Sequence, residues 1–266
     1  MVLTAYKERR NFKETPEPTG GKSEGNKLRF VIQMHDASHL HYDFRIEMDG
    51  VLKSWAIPKG PSTDPKVKRL AVMVEDHPFD YRNFEGIIPS GYGAGTVLIW
   101  DEGYYEPVCM TSENKKNQDK ELKHQLQIGK LKIRLHGKKL HGDFALIKAH
   151  GKGEDSWLLY KLNDEHASEE EITLHDRSVV SHRNLSQIAK ANNFYDAKRV
   201  KEASLKFKKE VVTNKYKNVL PIIAEQPQGI EVKEKAAKPV AKKIAAKRTP
   251  AKRKMRKIMI MVKKLF

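Results

Sequence analysis

Two runs in which apolar and polar residues alternate, Leu40–Met48 and Val51–Ile57, are separated by the dipeptide Asp49-Gly50. Alternation of period two marks strands with one face in a core, and Asp-Gly supplies the two positive-φ residues that a type I′ hairpin turn requires. A hairpin is therefore expected here. Its register is tightly constrained, because a slip of one residue would turn every side chain to the opposite face.

The same parity rule applies to the stretch His35-Asp36-Ala37-Ser38-His39-Leu40-His41-Tyr42-Asp43-Phe44-Arg45. If it is extended, Leu40, Tyr42, Phe44 and Ile46 face a core, and His35, His39, His41, Asp43 and Arg45 point the other way. A single histidine on a strand is ordinarily a solvated bystander. Three histidines and an aspartate of one parity are better read as a metal site. Neutral imidazole and carboxylate suit a divalent first-row ion, and three protein ligands leave positions open for water and substrate.

Around this stretch the chain is rich in short strands. Residues 1–28 form a polar arm whose Thr15-Pro16-Glu17-Pro18-Thr19-Gly20-Gly21 is too rich in breakers for a helix or a central strand. Strands are expected at 29–34, 69–77, 96–100, 104–108, 131–135, 144–148 and 157–161, with turns at Asp101-Glu102-Gly103 and His136-Gly137. In the strand over 69–77, Leu70, Val72 and Val74 take one face and Arg69, Ala71, Met73, Glu75 and His77 the other. Packed beside the hairpin, that second face would bring Arg69, Glu75 and His77 near the first cluster. A fold of this kind is mainly β, an antiparallel barrel or sandwich. Short helices are expected over 117–127 and 185–191. The cluster Gly91-Tyr92-Gly93-Ala94-Gly95 lacks the Gly-Lys-Ser/Thr ending of a phosphate loop and leads into a strand, so it reads as a tight turn.

Charge separates the chain into two parts. Of its 51 Lys and Arg, 20 fall after residue 200, against 5 of its 34 Asp and Glu, so that segment carries 15 of the 17 net positive charges. A basic, aromatic-poor segment cannot bury enough apolar surface to offset chain entropy, and is expected to be disordered and to bind polyanions in a salt-dependent way. Residues 255–266 mix Ile, Met, Val and Lys, which suits a frayed terminus better than an amphipathic helix. Cys109 is the single cysteine, which excludes an internal disulfide and a cysteine-based zinc site and fits a reducing compartment. There is no signal-peptide pattern and no apolar run of membrane-spanning length. A cytoplasmic, nucleoid-associated protein without membrane partners is expected.

The ordered series His35 to Arg45, Met48-Asp49-Gly50-Val51-Leu52-Lys53-Ser54-Trp55-Ala56-Ile57-Pro58-Lys59-Gly60-Pro61 and Val74-Glu75-Asp76-His77-Pro78 closely resembles the 3′-phosphoesterase module of bacterial and archaeal DNA ligase D. The likeness runs from near Tyr6 through Trp157 to about Ala189. It implies a compact antiparallel β-barrel that uses Mn²⁺, or another divalent first-row metal, to heal DNA 3′ ends for repair and end joining. A 3′-terminal ribonucleoside is removed to leave a 3′-phosphate, which is hydrolysed to a 3′-hydroxyl. The resemblance places the metal ligands on His35, His41 and Asp43, with His39 at the periphery. It places phosphate-site and catalytic residues on Arg45, Lys59, Arg69, Glu75, His77 and Tyr81. Arg10, Asn11 and Glu17 fall on the arm positions that bind substrate in the ribonucleoside-removing step. Asn11 stands where the family has Asp, a lost negative charge that bears more on that step than on phosphate removal. The glycine loop is one residue shorter than the commonest family form.

The organisation implied is an arm over 1–28 contributing to the site and a phosphoesterase barrel over 29–166. A linker with a short helix follows over 167–200, then a Lys-rich nucleic-acid-binding tail over 201–266. No Lys-x-Asp-Gly motif occurs and too few residues remain for a ligase or polymerase domain, so a stand-alone module is expected, working with DNA 3′ ends and with a separate ligase or a Ku-like protein. Arg45 and Arg69 would clamp phosphate oxygens, Lys59 would add a point charge, His77 would stabilise the transition state or protonate the leaving oxygen, and Glu75 and Tyr81 would orient. Two alternatives belong to other classes. His41, Asp43 and His77 also spell the two-His-one-carboxylate pattern of ferrous oxygenases, and the tail would equally suit a non-enzymatic, histone-like DNA-binding protein.

Overall fold

A computed structural model describes residues 3–23, 25–108, 110, 114–149 and 153–191. The expectations for Cys109, for the end of the linker, for the Lys-rich tail and for residues 255–266 lie outside the described residues. The elements are α1 (Thr4–Glu8), β1 (Leu28–Asp36), β2 (Leu40–Met48), β3 (Val51–Ile57), β4 (Arg69–Pro78), a 3-10 helix (Phe79–Asn83), β5 (Gly86–Ile88), β6 (Gly95–Pro107), α2 (Lys115–Gln127), β7 (Lys130–His136), β8 (His141–Lys148), β9 (Ser156–Lys161), a second 3-10 turn (Ile172–Leu174) and α3 (Leu185–Ala191).

Eight strands close an antiparallel barrel in the order β1-β2-β3-β4-β9-β8-β7-β6, with β6 returning to β1 and β5 added to the start of β6. Closure removes the exposed strand edges that an open sheet would have. The β2–β3 hairpin turns where expected, with Asp49 at φ 55° and Gly50 at φ 77°. Tyr42, Phe44, Ile46 and Met48 of β2 point into the barrel with Phe30, Trp55, Trp100, Phe144 and Trp157. The aromatic rings meet edge-on, Tyr42 to Trp100 at 5.3 Å and Trp55 to Trp157 at 5.8 Å between centroids, the arrangement ring quadrupoles favour.

The outer face of β1–β3 is not left to water. A second apolar cluster of Tyr6, Leu52, Phe79, Tyr81, Phe84, Ile88 and Val97 covers it, built from the N-terminal arm, the 3-10 helix after β4 and the start of β6. Tyr6 is fully buried and its hydroxyl donates to the Pro18 carbonyl, so one aromatic of the arm pins both of its ends.

Two strand expectations are corrected. Asp101-Glu102-Gly103 is not a turn, because β6 runs unbroken over 13 residues. A bulge at Trp100, where Gln33 pairs with Ile99 and Ile32 with Asp101, aims the Asp101 carboxylate at the β7–β8 turn. There it accepts from the backbone N–H groups of Lys138, Lys139 and Leu140, as well as Glu102. Gly103 is required beside it, since a Cβ would collide with the His136 carbonyl. The residues that look like a turn are those that hold a neighbouring turn. Asp101→Asn replaces one acceptor oxygen by a donor and leaves a buried N–H without a partner. A loss of about 2 kcal/mol in urea unfolding is expected, and unchanged stability would contradict this role.

The faces of β4 are also exchanged. Leu70 is 42% exposed, whereas Ala71 is buried and Met73 packs on the core. Ala71 pairs with Trp157 and Met73 with Trp55, so two indoles take the interior volume and leave room for only a small side chain between them. A bulge follows, because Ser54 pairs with Val74 but Leu52 with His77. The extra residue in β4 moves Glu75 and His77 to the outer face while Arg69 stays on the barrel side. Finally, residues 167–191, expected as part of a linker, lie on the barrel. Trp100 Nε1 donates to the His175 carbonyl at 2.7 Å, Val179 N to the Ile99 carbonyl at 3.0 Å, and Ile188 of α3 joins the core.

Candidate metal centre

His35 and His41 do not share a strand. The chain reverses between Asp36 and Leu40, and His35 on β1 and His41 on β2 are register partners. The three residues of the turn preserve parity, so both imidazoles stand on the outer face beside Asp43, their ring centroids 4.8 Å apart. His39 sits exposed in that turn and contributes a backbone carbonyl only.

Backbone carbonyls fix both rings. His35 Nε2 donates to the Gly93 carbonyl at 2.8 Å and His41 Nδ1 to the His39 carbonyl at 2.9 Å. In the neutral imidazoles this turns the lone pairs of His35 Nδ1 and His41 Nε2 toward Asp43, at 3.4 Å from Oδ2 and 3.6 Å from Oδ1. One donor atom from each of the three residues lies within 4.8 Å of the others. Those spacings are long for hydrogen bonds, but two ligands each about 2.1 Å from a shared ion at a tetrahedral angle are about 3.4 Å apart. Second-shell carbonyls of this kind set the tautomer of a metal-binding imidazole. Burial would raise the Asp43 pKa, but the Arg45 guanidinium and the two imidazoles outweigh it and hold the carboxyl well below the usual range.

The Arg45 guanidinium lies over the Tyr81 ring, its carbon 4.8 Å from the ring centroid. Its Nη2 donates to Asp43 Oδ2 at 3.0 Å and its Nε to Gln33 Oε1 at 2.8 Å. Its Nη1 is buried and has no protein partner. Gln33 in turn donates to the carbonyls of Tyr81 and Phe84, so it ties the guanidinium to the 3-10 helix. Gln33 was not anticipated, although a polar residue sharing the parity of His35 within an apolar strand was the available signal.

The arm supplies the opposite wall. Arg10 donates to Glu17 at 2.8 Å, to Glu75 at 3.0 Å and, through Nη2, to His77 Nε2 at 3.1 Å. Tyr81 and Thr15 both donate to Glu17 at 2.8 Å. Because guanidinium only donates, His77 Nε2 accepts, and its proton lies on Nδ1, which donates to the Glu75 carbonyl at 2.9 Å. Burial first, then the charges of Arg45 and Arg10, push the His77 pKa well below the ordinary value. A histidine depressed in the folded state is protonated first in the unfolded chain, so stability falls as pH drops through about 6.5. Between pH 7 and 5 the wild type is expected to lose up to about 2 kcal/mol more than His77→Gln, measured by urea unfolding. Parallel pH profiles would contradict a neutral, buried His77.

Together these groups line a cavity of about 570 Å³ that contains Arg10, His35, His41, Asp43, Arg45, Glu75, His77 and Tyr81. Four site residues named from the sequence are not among its walls, and one of them, Glu17, is buried behind Arg10 and Tyr81. Arg69 pairs with Glu171 at 3.2 Å, Lys59 is exposed in the loop after β3, and Asn11 is exposed with its side chain accepting from Lys13 N. The glycine loop does line the cavity, as a turn that presents the Gly93 carbonyl rather than as a phosphate loop.

The strands that carry this centre have known counterparts. Residues 33–148 match the DNA Ligase D 3'-phosphoesterase domain family. The phosphoesterase-domain match runs from within β1 to the end of β8, and so takes in His35, His41, Asp43, Arg45, Glu75 and His77. Over 167 residues the chain is 49% identical to the multifunctional non-homologous end joining protein LigD of Pseudomonas aeruginosa, covering 61% of this chain and 19% of that protein. It is 43% identical over 166 residues to the multifunctional non-homologous end joining DNA repair protein LigD of Mycobacterium tuberculosis, covering 61% and 20%. The Mycolicibacterium smegmatis LigD is 42% identical over 167 residues, covering 61% and 21%. The chain thus spans about a fifth of the length of these curated relatives. The likeness to ligase D phosphoesterase modules that the motifs suggested is borne out. No helix among the described residues is long and apolar enough to cross a membrane.

Proposed function

We propose that this protein is a metal-dependent phosphoesterase that heals DNA 3′ ends, hydrolysing a 3′-phosphate to a 3′-hydroxyl in the service of end joining. The observation that carries the reading is the convergence of His35 Nδ1, His41 Nε2 and an Asp43 oxygen beside the partnerless Arg45 Nη1. A divalent first-row ion on those three donors, manganese on the family reading, supplies Lewis-acid polarisation of a phosphoryl oxygen.

Charge balance supports this class of substrate. Arg10 and Arg45, which line the cavity, are matched there by Glu75 and Asp43 through direct ion pairs. A divalent ion makes the cluster doubly positive, which suits a phosphate monoester dianion. Arg45 Nη1 then donates to a non-bridging oxygen, and its bonds to Gln33 and Asp43 hold it there without reorganisation at the moment of reaction. Arg10 lines the same cavity, and His77, kept neutral, accepts a hydrogen bond from its Nη2 and orients it. His77 in this state is a positioning group rather than a general acid. Lys59 and Arg69 remain as contributors on the family reading.

The ribonucleoside-removing step is part of the same proposal, since Arg10 lines the cavity and is held by the buried Glu17 behind it. Product analysis with manganese on two primers, one ending in a 3′-phosphate and one in a ribonucleotide, tests both steps. Conversion of the first to a 3′-hydroxyl and of the second through a 3′-phosphate intermediate is expected. If both primers come back unchanged, the enzymatic reading is wrong.

A further inference from the structure

We propose that Tyr92 is a stacking platform for the terminal nucleobase of the strand whose 3′ end enters the cavity, an inference that rests on the function proposed above. Tyr6, Tyr81 and Phe84 around the site are 0%, 2% and 7% exposed, whereas Tyr92 is 50% exposed and stands in the cavity wall. A lone exposed aromatic is ordinarily unremarkable on a protein surface. Three features set this one apart.

First, its loop is fixed. Gly91 and Gly93 adopt φ of 80° and 79° on either side of it, and Gly93 holds the imidazole of His35 through its carbonyl. The ring is therefore tethered one residue from the ligand set. Second, its orientation is held by the arm, because the Arg9 guanidinium lies over the ring at 5.1 Å and donates to its hydroxyl at 3.4 Å and to Glu75 at 2.9 Å. Third, the Arg10 guanidinium is 5.7 Å from the same ring centroid, so the aromatic and the phosphate-facing cations form one continuous wall. A phosphate placed against Arg45 Nη1 carries its nucleoside toward this rim. Stacking on an aromatic ring accepts every base, as an enzyme that meets arbitrary broken ends requires.

The test uses the full chain and two 3′-phosphorylated oligonucleotides that differ only in whether the terminal nucleoside carries a base. Tyr92→Ala is expected to raise KM about tenfold or more for the base-bearing substrate with little change in kcat, and to leave the abasic substrate unaffected. Tyr92→Trp should keep or lower KM for the first. A purely structural role for Tyr92 in holding Arg9 would shift both substrates by the same factor, and that result, or no shift in either, overturns the proposal. Fluorescence anisotropy of the same oligonucleotides without added metal separates the two levels of inference. A wild type that turns over neither substrate but loses affinity for the base-bearing one on Tyr92→Ala keeps the stacking contact and refutes the reaction.

Discussion

Replacing His41 by alanine is expected to lower manganese-dependent release of phosphate from a 3′-phosphorylated primer by about 10³-fold or more. The size follows from the several kcal/mol of transition-state stabilisation that a bound Lewis acid supplies, all of which depends on the ion being held. His41 is a clean probe of this. Its side chain is 22% exposed and its one hydrogen bond is to the carbonyl of a neighbouring turn residue, so its loss leaves no buried charge uncompensated and the fold should tolerate it. His35→Ala should act alike, with an added effect on the glycine loop through the lost bond to Gly93. Near-normal turnover by His41→Ala would remove this imidazole from the ligand set.

Arg45→Ala is expected to cost both activity and stability. Removing a preorganised donor at the site of developing charge lowers turnover by about 10²–10³-fold. The same change leaves Asp43 buried without its cation, a loss of roughly 3–5 kcal/mol. The pH dependence carries the sign of the cause. In the wild type the folded Asp43 pKa is below its unfolded value, so its contribution is present above about pH 4 and is lost as pH falls further through the folded value. In metal-free protein the stability gap between wild type and Arg45→Ala should therefore be full at neutral pH and close on acidification below about pH 4. Arg45→Lys should not restore activity, because the donors of an ammonium radiate from one nitrogen and cannot span Gln33, Asp43 and the cavity as the planar guanidinium does from three. A gap that does not change with pH would assign the stability loss to packing instead of to the ion pair.

Local signals in the sequence were the legible ones. The Asp49-Gly50 hairpin, the short helix over 185–191 and the common face of His35, His41 and Asp43 each follow from a few adjacent residues. The common face was legible even though the stretch was read as continuous, because a three-residue turn preserves parity. What the sequence hid depends on partners distant in the chain. The faces of β4 are decided by Trp55 and Trp157, which claim the interior beside Ala71 and Met73, and by a bulge that periodicity cannot register. Asp101-Glu102-Gly103 has the composition of a turn, but its carboxylate is committed to residues 138–140. The arm is mostly polar, and the burial of Tyr6 and Arg10 becomes visible only once the 3-10 helix and Glu75 are in place. Lys59 came from family resemblance alone and Arg69 from resemblance and strand parity together, and neither is a wall of the cavity.

The most direct test of the account is a titration of the full chain with Mn²⁺, following the free ion by electron paramagnetic resonance. One tightly bound ion per wild-type chain is expected, with affinity reduced more than about tenfold in His35→Ala, His41→Ala and Asp43→Asn and unchanged in His39→Ala, whose imidazole is next to the others in sequence but exposed in the turn. Equal binding by all of these proteins, or none by the wild type, would contradict a metal centre on β1 and β2.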